Sequence, residues 1–418
     1  MTTNAEREEI IGNIARIVKE KFINPNDLNQ DLNKWAAQLE DCKDRMVAAA
    51  DEESFVGEVR AHLRKLGASH TAFFHGGGRG VPAPHAIHAT LSAFDTQWGR
   101  RWVLQDVIED GVAFRAGLQP GDIILTQDAQ DLTPPHAPEF SLGERYLLSV
   151  VGRNGSGEKT VEVSVPAKAA KGRPPTVEPK SISQTMLDGG IGLLKVASFP
   201  GASGRGFAVQ SDAAIRSLVK EGCSRLILDL RGNVGGGLGS LRLMSYLTPA
   251  SVPVGYSVTR AKLRKGFLKE SLPRITKIPS SRFHEILMAI RFGLLQKDRS
   301  IALFTEGLGA QPFHGRIALL VNEHTHSAAE MVAAFAEDNR LGVIGGAPSA
   351  GEVLGGANFR VGGEYRVRLP IAAWYTWSGR TIEGKGVPPS IHAEAELQSL
   401  RAGMDRQLEA VKSYVKQL

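Results

Sequence analysis

Cysteine is scarce: the 418-residue chain holds two, Cys42 and Cys223, far apart and without metal-ligand spacing. That excludes a disulfide framework and points to inert thiols in a reducing compartment. No apolar run approaches the roughly 18 residues of a membrane-spanning helix, so no span is expected. The N-terminal stretch, MTTNAEREEIIGNIARIVKEKF, mixes charges of both signs on a helical pattern. It lacks the basic, then apolar, then small-residue order of a secretory leader, and a cytoplasmic protein is expected. The net charge of +6 is modest for this length, and no nucleic-acid partner is expected. Much of it is local, because residues 260–299 carry eleven Lys or Arg against three Asp or Glu. Such a run reads as a solvated helical face or a surface for an anionic partner.

What is present suits a globular protein, with 42% hydrophobic and 22% charged residues and no long biased tract. The length exceeds what one core usually serves, so two or three domains are expected. Over the first 66 or so residues, Ile10, Ile11, Ile14, Ile17 and Val18 form one helical stripe and Phe55, Val56, Val59, Leu63 and Leu66 another. This N-terminal helical region, drawn as 1–84, reads as a cap or a dimerisation arm that would make a homo-oligomer. Residues 85–166 turn to short alternating strands, with Asn154-Gly155 as a hairpin turn. Residues 167–181 are a Lys- and Pro-rich linker.

From 182 to 394 the pattern is strand and helix in alternation, the signature of an α/β layered domain, interrupted by a basic insertion at 260–315. Strands are expected at Ile191–Val196, Arg225–Leu230, Arg316–Asn322 and Gly342–Gly345, and helices at Ala208–Glu221, Gly239–Leu247 and Ser327–Glu337. A basic, polar helix is expected over 395–418.

Two constellations carry chemistry. In RIALLVNEHTHSAAEMVAAFAEDN an apolar strand ends in a polar turn and Ser327 opens a helix. A hydroxyl there sits among unpaired backbone N–H groups at the positive end of the dipole, which suits a nucleophile, with the Ala328 N–H as an oxyanion donor. Ser327 and Glu330 also fit a capping box, a device with no catalytic meaning. In SRLILDLRGNVGGGLGSLRLM a strand ends in a glycine loop, where the N–H groups of Gly235 and Gly236 could approach a ligand closely. An oxyanion loop and a phosphate loop use the same physics, and these residues alone do not separate them. His324 and His326 form a His-x-His pair with no third ligand at metal spacing, so turn histidines are expected and no metal or organic cofactor. Asp229 and Arg231 read as a structural ion pair, and Trp374 and Trp377 as packing or pocket-rim residues.

In combination these motifs resemble the C-terminal processing protease and tricorn superfamily of serine peptidases. The matching pieces are Ser198-Phe199, the run LDLRGNVGG from Leu228 to Gly236, and Asn322-Glu323 with Ser327 and Glu330. Asp338, the strand 342–346, the closing EGKGVPP from Glu383, and GMDRQLEAV continue the likeness to the end of the chain. Within 85–166, Ala116-Gly117-Leu118 and Gly121-Asp122 resemble the PDZ domain, a module that binds peptide by strand addition and holds its terminal carboxylate. The C-terminal processing branch pairs its serine with a lysine in a Gly-Lys-Gly segment, but the matching stretch here carries Glu352. The chain looks more like the tricorn branch with its serine-histidine-serine-glutamate tetrad. That resemblance implies Ser327 as nucleophile, His70 as base, and Ser69 and Glu383 as the pair that orients the imidazole, with Glu352 as the rival carboxylate.

The implied fold is a crotonase-like spiral α/β domain with an inserted PDZ β-domain and an N-terminal helical cap. The implied function is acyl-enzyme cleavage of peptides or unfolded and C-terminal protein segments, with the PDZ domain recruiting substrate or bracing the fold. The rivals are a catalytically silent peptide- or lipid-binding relative, and acyl-CoA chemistry on a crotonase-like core.

Overall fold

The computed structural model describes all residues except 1, 156, 169–176, 292–299, 311, 312, 314 and 315. Most of the expected linker and part of the basic insertion therefore lie outside the described residues. Contacts divide the fold into two units: residues 1–77, 251–306 and 351–386, and residues 78–250, 307–350 and 387–418. Interleaved stretches replace the consecutive segments expected from chain order, because strands distant in sequence share one sheet.

The first unit packs helices on a six-stranded sheet. Helix Asn4–Lys21 starts at a capping box in which Glu6 Oε2 accepts from the Thr3 N–H at 2.8 Å, and it buries Ile10, Ile11, Ile14, Ile17 and Val18. Helix Glu52–Arg64 buries Phe55, Val59 and Leu63. These stripes meet Phe73, Val367 and Leu369 of the sheet in one core. The spine is the strand Tyr365–Thr376, which pairs with Ala72–His75, Pro253–Thr259 and Gly355–Gly362. Ala72–His75 is a strand inside the region expected to be helical, and four residues are too few for alternation to register in the sequence. The basic stretch is woven into the same sheet through Arg274–Ile275 and Ile301–Phe304 rather than standing apart from it.

Besides the short pair Val81–Pro82 with Glu139–Phe140, the second unit holds two larger sheets. One runs in the order Ile182–Leu187, Ile191–Val196, Arg225–Asp229, Ile317–Val321, Val343–Gly346, Ile391–His392, antiparallel in its first pair and parallel thereafter. Ile317–Val321 is buried along its whole length, which is why it reads as an unbroken apolar run. Helices Arg205–Lys220, Gly239–Leu247 and Ala328–Asp338 follow their strands much as expected. The other sheet is antiparallel, with Ala89–Thr96, Gly99–Val107, Ile123–Gln127, Arg145–Val151 and Glu158–Ser164 in order. A short helix, Val112–Arg115, leads into Ala116-Gly117-Leu118.

The C-terminal segment corrects one expectation, being two helices, Leu397–Arg401 and Arg406–Val415. Gly403 adopts φ 70°, a left-handed turn that ends the first, and Asp405 caps the second by accepting from the Leu408 N–H at 2.9 Å. Asp405 also joins the expected ion pair. Buried Arg231 bonds both oxygens of Asp229, at 2.9 and 2.7 Å, both oxygens of Asp405, each at 2.7 Å, and Gln407 at 3.1 Å. Burial disfavours its charge, yet the two carboxylates hold the guanidinium pKa well above its usual value.

Arg231→Met leaves the buried Asp229 carboxylate without its cation. Loss of about 3–5 kcal/mol is expected, read as a lower urea midpoint.

Candidate active site

The first unit places three of the expected residues together. Ser69 and His70 lie between helix Glu52–Arg64 and strand Ala72–His75, and Glu383 follows the strand Tyr365–Thr376. The Glu383 carboxylate, 2% exposed, accepts three bonds: from the Ser69 N–H at 2.8 Å, the Ser69 hydroxyl at 3.0 Å and the Val353 N–H at 3.1 Å. His70 Nδ1 stands 3.0 Å from the same Ser69 oxygen.

An ionised carboxylate can only accept, so the Ser69 proton points to Glu383, and the Ser69 oxygen must receive a hydrogen from His70. The neutral imidazole then carries its proton on Nδ1 and presents Nε2 as the basic atom. His70 sits at φ 58°, a left-handed conformation uncommon for histidine. Asn26 steadies the segment by donating to the Glu383 carbonyl at 3.0 Å. Glu352, the rival carboxylate, is exposed.

Burial pushes the Glu383 carboxyl above its ordinary value, the Ser69 and Val353 donors pull it back, and the nearby charge of Glu352 raises it. A folded pKa above the unfolded one means that ionising Glu383 costs the fold stability as pH rises through that window.

The second unit holds Ser327. The strand Ile317–Val321 delivers the chain into a turn pinned from several sides. Asn322 Oδ1 accepts from the Gly232 and His324 N–H groups, each at 3.1 Å, and Asn322 Nδ2 donates to Asp106 at 3.0 Å. Thr325 Oγ1 donates to the Leu230 carbonyl at 3.0 Å, and the His326 N–H to the Asn233 carbonyl at 2.9 Å. Ser327 emerges at φ 55°, ψ −119°, immediately before helix Ala328–Asp338. A side chain in that conformation costs roughly 1–3 kcal/mol and persists where its surroundings over-determine it. A sharp strand-to-helix turn of this kind presents a hydroxyl outward at a helix N-terminus.

Glu330 is fully buried and accepts from the Ser327 N–H at 3.0 Å and from the Ser349 hydroxyl at 2.7 Å. Ser349 in turn accepts from the Val387 N–H at 2.7 Å. The Ser327-to-Glu330 spacing thus ties the nucleophile candidate into a buried network rather than only capping a helix.

The glycine loop corrects one assignment. The Gly235 N–H donates to Asn233 Oδ1 at 2.8 Å, so it is committed and does not serve as an oxyanion donor in this arrangement. Its contribution is the missing side chain: a Cβ on Gly235 would lie 2.7 Å from Ser327 Cβ. Gly236, at φ 140°, packs so closely that a Cβ would meet the Phe199 carbonyl at 2.1 Å. Of the expected donors, Gly236 and Ala328 remain as candidates. His324 turns to the Ser92 hydroxyl at 2.9 Å, and burial pushes its pKa down. Among the described residues, no group of three or more His, Cys, Asp or Glu side chains could hold a metal.

Sequence reasoning passed over Asn233, Asn322 and Ser349 as positioning residues. Both asparagines stand in the quoted motifs, at the ends of apolar strands, and a polar side chain buried there must find partners for all its atoms.

Gly235→Ala is expected to lower stability by about 1–3 kcal/mol in thermal denaturation, because it adds both strain at φ 86° and a clash with Ser327. Carbon-13 NMR of Glu383 should show a titration midpoint above the ordinary 4.5. Ser69→Ala should raise that midpoint further, because it deletes a donor that favours the ionised form.

Residues 190–393 match the profile of peptidase family S41. Among curated proteins, the chain is 25% identical over 295 residues to the carboxy-terminal processing protease CtpA of Bacillus subtilis (strain 168), covering 69% of this chain and 52% of that protein. It is also 25% identical over 316 residues to the carboxy-terminal-processing protease of Bartonella bacilliformis, covering 71% and 59%. The chain therefore spans little more than half the length of these relatives. In fold it is similar to the photosystem II D1 C-terminal processing protease, with TM-score 0.55 and 15% identity over 98% of this chain and 97% of that one. Mature CPAF complexed with lactacystin gives TM-score 0.55 and 14% identity over 99% and 98%. Through residues 190–393, the chain belongs to peptidase family S41.

Proposed function

We propose that the protein is a serine peptidase that cleaves peptides or unfolded and C-terminal protein segments through an acyl-enzyme. Ser327 is the nucleophile and His70 the general base, while Ser69 and Glu383 position the imidazole. The observation that carries this reading is the Ser69 hydroxyl, bonded to the buried Glu383 and to His70 Nδ1 at 3.0 Å each. That bridge leaves Nε2 as the proton acceptor. The second support is the conformation of Ser327, strained and seated at a helix N-terminus.

The reaction follows from these roles. Ser327 Oγ attacks the scissile carbonyl carbon as its proton passes to His70 Nε2, and the carbonyl oxygen gains negative charge. Gly236 and Ala328 are the proposed N–H donors to that oxyanion. Collapse breaks the C–N bond, and His70 gives its proton to the leaving amine. Water, deprotonated by His70, then hydrolyses the ester and restores Ser327. The role in the relatives' names, carboxy-terminal processing, is the substrate class we carry to this chain.

The finer structural reading belongs to the same proposal. The spiral α/β core is crotonase-like, and the antiparallel sheet over residues 89–164 is a PDZ domain that recruits a substrate's C-terminus. The free thiols Cys42 and Cys223 suit a reducing cytoplasm, and no described helix is long and apolar enough to cross a membrane.

A fluorophosphonate probe decides between this enzyme and a silent relative of the same fold. Labelling of the wild type but not of Ser327→Ala is expected; labelling of both, or of neither, sinks the assignment. Against a peptide substrate, His70→Ala should lower kcat/KM by about 10³-fold or more. Amidating the peptide's C-terminus should raise KM with little change in kcat if the PDZ domain reads the carboxylate.

A further inference from the structure

The helix Arg282–Ile290 stands apart from the other helices of its unit in what it shows to solvent. It is properly started, with Ser281 Oγ accepting from the His284 N–H at 3.2 Å, yet none of its residues is buried. Phe283 is 65% exposed, Ile286 57%, Leu287 47% and Ile290 41%. Their spacing of three, four and seven places all four on one stripe. The side opposite that stripe holds Glu285 and Met288, and these are the half-buried ones. The helix therefore turns its apolar stripe outward, with Glu285 and Met288 on the side toward the protein. Leu268 adds a further apolar side chain, 73% exposed, in the same basic stretch.

We propose that this helix seats the protein on an anionic lipid surface, with its apolar stripe in the interfacial layer of the bilayer. The charge around it selects that occupant. Between residues 260 and 291 there are nine Lys or Arg and two Asp or Glu. Arg264, Lys265, Arg274, Lys277, Arg282 and Arg291 are exposed. At about 100° per residue, Arg282 and Arg291 fall on either flank of the stripe, where their stems lie along apolar surface and their guanidinium groups reach headgroup phosphates. An apolar stripe edged by cations is the pattern of helices that lie in a membrane interface, and each basic residue adds attraction to anionic lipid. A second copy of this chain would bring the same excess of positive charge to the contact and be repelled. The proposal is independent of the peptidase reading, since it uses none of Ser327, His70, Ser69 or Glu383.

Co-sedimentation of the full chain with vesicles tests it. Vesicles of equal phosphatidylglycerol and phosphatidylcholine should carry the protein down, and pure phosphatidylcholine should do so at least about tenfold less well. The double variant Phe283→Ser/Ile286→Ser should bind the anionic vesicles about tenfold more weakly, and so should Arg282→Gln/Arg291→Gln, with binding also falling as salt rises. All four side chains are exposed, so thermal midpoints should stay near the wild type; if the apolar variant misfolds, the charge variant decides alone. The proposal is overturned by a wild type that stays in the supernatant with anionic vesicles, by variants that bind like the wild type, or by equal binding to both vesicle types. It is also overturned if sedimentation velocity finds a dimer that Phe283→Ser/Ile286→Ser disperses, because a second copy then covers the stripe.

Discussion

A single steric constraint organises the second unit: Ser327 is held in a left-handed conformation at the point where a buried strand becomes a helix. Such a turn is unfavourable by itself, so the neighbourhood must hold it. The strand before it is buried along its length and cannot slip without moving its whole apolar set. The buried Asn322 side chain and the Asn233 backbone carbonyl then lash the turn to the glycine loop. The Asn233 side chain braces the loop itself by donating to the Val196 carbonyl and accepting from the Gly235 N–H. Gly235 must be glycine for two reasons, its own φ of 86° and the space that Ser327 Cβ occupies. The glycine run is thus first a matter of volume, and only then of donors.

The first unit solves a different problem, that of keeping a carboxylate ionised away from water. Burial works against the charge of Glu383, and three donors from Ser69 and Val353 offset part of that cost. Because one of those donors is the hydroxyl that touches His70, the satisfaction of a buried charge also sets a histidine tautomer. Structural and chemical roles share one hydrogen-bond chain, in the manner of a base steadied by a third group. Arg231 is the parallel case in the second unit, where a buried cation is satisfied by Asp229 and by the cap of the last helix.

Against these over-determined regions, helix Arg282–Ile290 is under-determined: a formed helix that buries nothing of itself. The same physics that tucks Ile10, Ile14 and Phe55 inward leaves Phe283, Ile286 and Leu287 outward, in the most basic stretch of the chain. Charge was the part of this stretch visible in the sequence, where a solvated face and a surface for an anionic partner read alike. The outward direction of the apolar stripe was not visible there, since periodicity tells which residues share a face and not where that face looks.

That distinction runs through the whole protein. The sequence by itself determined the local elements: the strand Ile191–Val196 and helix Gly239–Leu247 came at their observed bounds, because apolar periodicity and glycine punctuation act over a few residues. It also offered Ser69, His70, Ser327 and Glu383 as site candidates, through short motifs that resemble a known family. It could not show that Ala72–His75 joins a strand some 290 residues later, that the last helix breaks at Gly403, or that the Gly235 N–H is already spent on Asn233. It preferred Glu383 to Glu352 as the partner of Ser69 without excluding Glu352; the structure bonds Ser69 to the buried Glu383 and leaves Glu352 exposed. Those outcomes rest on hydrogen-bond satisfaction and excluded volume between distant segments, and such terms come into existence only when the chain has folded.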